Sequence, residues 1–130
     1  MHYTGHMHVL SMTIHALLFS FANTKLATIG YDVITMDGDV LRSTARTTIG
    51  NDVTLQGNYD PKELIAEDGN SIETVRATAK QMLKELGPQR LIANLGEGLG
   101  GRESPELVDA FVTAIHEESE IMIANSVVTV

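Results

Sequence analysis

The stretch VTLQGNYDP, residues 53–61, holds the pattern from which the fold is read. Val53, Thr54, Leu55 and Gln56 form a short, largely β-branched and apolar run. Gly57, Asn58, Tyr59, Asp60 and Pro61 then break it with turn chemistry. Further on, residues 71–86 carry a different period. Ile72, Val75, Ala79, Met82, Leu83 and Leu86 fall on one helical stripe, with Ser71 placed to cap it and Gly87-Pro88 to stop it. Leu91-Ile92-Ala93-Asn94-Leu95 returns to an extended apolar run. The order is strand, helix, strand.

The same alternation extends both ways. Upstream, residues 9–16 read as a strand and 20–29 as a helix stopped by Gly30. Val33-Ile34-Thr35-Met36 is a buried strand that leaves into Asp37-Gly38-Asp39, and residues 40–48 form a short helix closed by Gly50. Downstream, glycine-dense residues 96–101 lead to Ser104-Pro105-Glu106, a sequence suited to opening a helix. Leu107, Phe111, Ala114, Ile115 and Met122 form the inward face of that helix. The pattern predicts an α/β fold of about four parallel βα units, with near-continuous apolar strands covered on both faces. In such folds ligands sit at the carboxyl ends of the strands. Asp37, Gln56, Asn58, Asn94 and Glu97 stand there.

The chain has 130 residues, 9 Lys and Arg against 17 Asp and Glu, a net charge of −8 and no cysteine. A surface this acidic disfavours nucleic acid. Without cysteine there is no disulfide framework, thiolate zinc site or Cys nucleophile. The longest apolar stretch, residues 9–22, is shorter than the roughly 20 residues that span a bilayer, so no membrane role is expected and a cytoplasmic location is. His2, His6, His8 and His15 crowd one end, but no carboxylate accompanies them and no metal site is predicted. His116, among Glu117, Glu118 and Glu120, reads as an exposed, charge-paired side chain. The Gly96–Gly101 region lacks the spacing of a phosphate-binding loop. Asp37 and Asp39 fit either an acid–base pair or a tight turn.

Four segments resemble one family, the uroporphyrinogen decarboxylases. Residues 53–61 are similar to its VTLQGNLDP. Residues 87–99, GPQRLIANLGEGL, are similar to its GPxRYIANLGHGL. Residues 26–37 resemble LAxxGYDVVGLDW up to its aspartate, and residues 105–116 resemble PExVxAFVxAVH. The resemblance implies the C-terminal half of a TIM (β/α)8 barrel, covering residues 11–124 between a non-matching stretch 1–10 and a tail 125–130. A whole barrel needs about 250 residues. It also implies catalysis without metal or organic cofactor, a homodimer, and a tetrapyrrole substrate, uroporphyrinogen, whose four acetate arms are decarboxylated to give coproporphyrinogen on the way to heme. An acetate on a pyrrole loses CO2 only when the ring can take up the electron pair, and protonating the pyrrole supplies that sink. The reaction needs a placed proton donor, cations for the carboxylates and a dry pocket.

Asp37, Gln56, Asn58 and Asn94 match the family pattern, and the resemblance implies a substrate-binding role for them. Glu97 stands where the family has histidine and takes the catalytic position. Gly38 replaces a tryptophan, and Leu17-Leu18 stand where Lys-Asp or Lys-Gly is common. A half barrel has unpaired parallel edges, so self-association or pairing with a complementary half-barrel is expected. The alternative is a catalytically inactive relative that binds a tetrapyrrole or a partner. A methyltransferase of the same superfamily fits less well, because its zinc site normally takes a cysteine.

Overall fold

The computed structural model describes residues 9–10 and 30–128. Strand β1 (Val9–Leu10) is followed by β2 (Val33–Thr35), α1 (Arg42–Ile49), β3 (Thr54–Gln56), α2 (Ile72–Leu86), β4 (Leu91–Ile92) and α3 (Pro105–Val128). Two short 3-10 turns, Pro61–Leu64 and Ala66–Asp68, bridge β3 to α2. The four strands pair in parallel in chain order, β1-β2-β3-β4. From β2 onward the parallel neighbours are joined through helices, with no strand inserted out of order, an arrangement consistent with a partial barrel wall. The predicted helix 20–29 and most of the predicted strand 9–16 lie outside the described residues.

Local chemistry accounts for the helices. In α2 the Ser71 side chain accepts from the Thr74 amide, while the Thr74 hydroxyl accepts from the Ser71 amide, a reciprocal cap. At the other end the Gly87 N–H bonds the Leu83 carbonyl, and Pro88 follows. Val75, Ala79, Met82, Leu83 and Leu86 are buried as the stripe requires. Ile72 is not: it is 39% exposed. It stands in the first turn, where the helix has yet to reach the core. Helix α1 starts two residues later than predicted, at Arg42, and ends at Gly50 as expected. The last helix runs through to Val128, beyond the point where its inward face stops contributing to the core.

Among the described residues the helices lie on one face of the sheet; the predicted helix 20–29 lies outside them, and Val33 on the second face is 2% exposed. Helices cover one face, where Ile34, Met36, Leu55, Tyr59, Val75, Met82, Leu86, Leu107 and Phe111 form one cluster, with Leu91, Ala93 and Leu95 packed against it. The Tyr59 and Phe111 rings meet with centroids 4.4 Å apart, tilted by 44°. Because side chains alternate along a strand, Thr35, Gln56, Ile92 and Asn94 belong to the opposite face. There Ile92 is 41% exposed and the Asn94 side of β4 is open. β4 is also shorter than the five residues expected. After Ile92 its backbone stays paired with the chain leaving β3: Gly57 and Tyr59 donate to the Ile92 and Asn94 carbonyls, Gly96 donates to Tyr59, and a single parallel bridge joins Tyr59 to Leu95.

A clamp holds the opposite end of the sheet. Arg46, in the last turn of α1, donates from Nε to the Leu86 carbonyl at 2.6 Å. Its Nη1 reaches Gly50 at 2.9 Å and Val53 at 3.2 Å, and Nη2 reaches Arg90 at 2.8 Å. One guanidinium therefore satisfies carbonyls at the ends of two helices, where the helix dipole favours a cation. Partial burial lowers its pKa from the ordinary arginine value.

Candidate functional site

Three loops meet at the carboxyl ends of the strands: residues 36–41 after β2, 57–60 after β3 and 93–104 after β4. They are in backbone contact. A Cβ on Gly57 would stand 2.7 Å from the Met36 carbonyl oxygen, and its φ of +118° suits glycine in any case. A Cβ on Gly96 would stand 2.6 Å from the Gly38 Cα and 2.7 Å from its nitrogen. Glycine at both places lets neighbouring loops touch, so the candidate residues they carry share one small area.

Asn58 is the hub. It is 2% exposed and the one buried polar residue among the described side chains of the core. Its Nδ2 donates to the Asp37 carbonyl at 2.9 Å and the Val40 carbonyl at 2.8 Å, and its Oδ1 accepts from Arg42 Nε at 3.0 Å. The Asn58 side chain is thereby consumed within the protein. Asp37 is half-buried and turns back on its own loop, Oδ1 accepting the Gly38 N–H at 2.7 Å. That is the turn reading of Asp37-Gly38-Asp39, and Asp39 itself is exposed. Gln56 is half-buried on the open face of β3, paired in register with Thr35 and Ile92. Asn94 is exposed, with its carbonyl held by the Tyr59 N–H.

Glu97 is exposed and lies across Gly38, its Oε1 3.8 Å from where a Gly38 Cβ would be. The strand ends thus bring Asp37, Asn58 and Glu97 into one neighbourhood around Gly38 and Gly96, with Gln56 and Asn94 on the open face beside it. Asp37, Asp39 and Glu97 make this rim acidic. Tyr59, beneath it, keeps its phenol proton at neutral pH: burial, then the Glu63 carboxylate, push its pKa far above the ordinary value.

Three charged residues that the sequence reading did not single out organise the loops. Arg42 grips Asn58 and stands 3.9 Å from Glu85. Arg102 pairs with Asp68 at 3.0 Å and Glu67 at 3.6 Å. Glu103 accepts the Gly100 and Gly101 amides at 2.9 and 2.8 Å. Those amides, Gly100 first, hold the Glu103 carboxyl below the usual range. A depressed carboxylate pKa means the contact is complete above the unfolded-state value and is lost as pH falls through the folded value. Amide exchange followed by NMR is expected to show Gly100 and Gly101 losing protection only below about pH 4.5. Unchanged protection at pH 3 would rule the latch out.

His116 is exposed as expected, but the neighbouring acids are otherwise engaged: Glu117 pairs with Arg76 and Glu118 with Lys80 across the α2–α3 interface. Among the described residues no three His, Asp or Glu side chains group as a metal site, and no helix is long and apolar enough to cross a membrane. His2, His6, His8, His15, Leu17 and Leu18 lie outside the described residues.

The comparison with known proteins decides what these loops belong to. The family profile described as uroporphyrinogen decarboxylase (URO-D) matches residues 5–118. The chain belongs to the uroporphyrinogen decarboxylase family. Among its relatives, the uroporphyrinogen decarboxylases of Ovis aries and Homo sapiens are each 44% identical over 114 residues, 88% of this chain. That of Salinibacter ruber is 38% identical over 102 residues, 78% of this chain. The chain spans about 30% of the length of these relatives. The uroporphyrinogen decarboxylase profile ends within α3, so the last turns of that helix lie beyond the matched region.

Proposed function

We propose that this chain serves as the C-terminal part of a uroporphyrinogen decarboxylase, about four βα units of a TIM barrel wall, and that it works when the remaining wall closes over its open face. The observation that carries the reading is the acidic, glycine-packed cluster of family-matched residues at the strand ends, beside a sheet face that no helix among the described residues covers. In this role the Asp37 loop and Gln56 form part of the pocket floor, Asn58 fixes the loop, and Asn94 lines the open side. Glu97 takes the place of the family's histidine, as hydrogen-bond acceptor to a pyrrole N–H or as proton donor.

The chemistry sets the division of labour. A pyrrole-bound CH2COO− group becomes CH3 by releasing CO2 and taking up one proton. The C–C electron pair passes into a ring that protonation has made electron-poor, and rearomatisation returns the ring proton to the site. The substrate carries eight carboxylates, so cations must hold it. At these strand ends Arg42 and Arg102 are already occupied by Asn58 and by Glu67 and Asp68. The substrate-binding cations therefore come from the complementary part, and closure of the two parts excludes water. A homodimer, a soluble cytoplasmic setting and a place in heme biosynthesis accompany this reading.

The test is reconstitution. The full chain is co-expressed with the N-terminal two-thirds of a relative and CO2 release from uroporphyrinogen is measured. The pair is expected to turn over and the chain alone is not. Glu97→His is expected to raise turnover of the pair about tenfold, because it removes a carboxylate that repels the substrate. A pair that co-purifies and binds uroporphyrinogen but releases no CO2 with either residue at 97 favours the inactive, tetrapyrrole-binding alternative. A pair that neither associates nor binds overturns both.

A further inference from the structure

Arg42 opens α1, and by local rules it is misplaced. The first turn of a helix favours acids, since its free N–H groups carry positive potential and a cation there is repelled. α1 has no acidic residue in its first turn and no side-chain cap, its N-cap being Leu41. A charge held against a helix dipole needs a compensating contact, and rules are broken in this way where function demands it.

The compensation is Asn58. Arg42 Nε donates to Asn58 Oδ1 at 3.0 Å and Nη2 approaches the Asn58 backbone oxygen at 3.4 Å. An asparagine amide has one oxygen that accepts and one nitrogen with two donors. Here both N–H groups go to carbonyls of the 36–41 loop and the oxygen goes to the guanidinium. Turned over, the amide would set its N–H groups against the Arg42 donors and its oxygen against the Asp37 and Val40 carbonyls. With Arg42 removed, the buried oxygen would lose its partner beside a cavity of about 160 Å³ lined by Gly38, Val40, Arg42, Asn58 and Glu85.

We propose that Arg42 is a positioning residue: it fixes which way round the Asn58 amide stands, and through it sets the loop that carries Asp37 and Gly38. The proposal deepens the functional reading above, on which the importance of that loop rests. Its geometry is testable without turnover.

The measurement is backbone amide exchange on the full chain. In Arg42→Met, the Gly38 and Val40 amides are expected to lose protection by roughly tenfold or more, the cost of removing a charged partner from a buried acceptor. The Leu55, Val75 and Met82 amides keep theirs. Arg42→Lys recovers part of the loop protection. Asn58→Asp, which leaves an acceptor for Arg42 but removes both N–H donors, loosens the same two amides with Arg42 in place. Unchanged loop protection in Arg42→Met overturns the proposal. So does a uniform loss across the core, which marks a purely structural arginine. If the loop amides respond as stated but the reconstituted pair releases no CO2, the functional reading falls and the positioning role stands.

Discussion

Arg46→Met is expected to lower the unfolding free energy of the chain by about 3 kcal/mol, a large part of the 5–15 kcal/mol that ordinary domains possess. Methionine keeps much of the aliphatic stem and its packing, so the loss reports the guanidinium. Four carbonyls, those of Leu86, Gly50, Val53 and Arg90, would lose a donor together. Two of them close helix ends, and the Arg90 carbonyl also accepts the Leu55 amide within the sheet. A hydrogen bond to a charged group contributes roughly 1.5–3 kcal/mol, and four on one side chain do not add in full. Partial exposure reduces the sum further, because water can replace the outermost contact. Arg46→Lys is expected to recover about 1 kcal/mol, since an ammonium cannot reach all four acceptors at once. Urea unfolding followed by circular dichroism measures both. A change under 0.5 kcal/mol for Arg46→Met would show that the clamp carries no stability.

The second large effect belongs to Gly96→Ala. The added methyl would meet the Gly38 Cα at 2.6 Å and its nitrogen at 2.7 Å, and neither atom belongs to a side chain that can swing aside. The backbone must move, separating the loop after β4 from the loop after β2. The stability cost of such overpacking is about 1–3 kcal/mol. The functional cost is expected to be larger in proportion: about 100-fold in turnover of the reconstituted pair, because a displacement near 1 Å at reacting groups costs that much. Gly98→Ala is the control, since a Cβ there meets nothing within 4 Å. Equal activity of the Gly96→Ala and parent pairs would show that the loop contact does not position the site.

Much of this architecture is legible in the sequence because its signals are local. The stripe through Val75, Ala79, Met82 and Leu86, the Ser71 cap and the Gly87-Pro88 stop depend on neighbours within a few turns, and α2 follows them closely. The family relationship is legible for a similar reason, since contiguous strings around Asn58 and Asn94 carry it. Long-range geometry is not encoded that way. Nothing near Ile72 says that the first turn of its helix stands clear of the core. Nothing near Leu91 says that β4 is regular for only two residues and then pairs with the chain leaving β3 through a single bridge between Tyr59 and Leu95. The arginines are not legible because charged residues on a short helix (Arg42, Arg46) or in a glycine-rich loop (Arg102) read as solvated surface. Arg42 alone left a trace, a cation at a helix start with no acid beside it.

The way Glu97 lies over Gly38 has a meaning for the family's history. The family pattern this sequence resembles carries tryptophan and histidine where Gly38 and Glu97 stand, and here those two positions face one another. A Cβ at position 38 would stand in ordinary contact with Glu97 Oε1, at 3.8 Å, so a larger side chain at 38 bears on where the exposed Glu97 carboxylate can lie. The two positions are neighbours, so the effect of a residue at either is expected to depend on which residue holds the other. A reversion of position 38 by itself would be judged against a glutamate it was never fitted to, and only the paired exchange compares like with like.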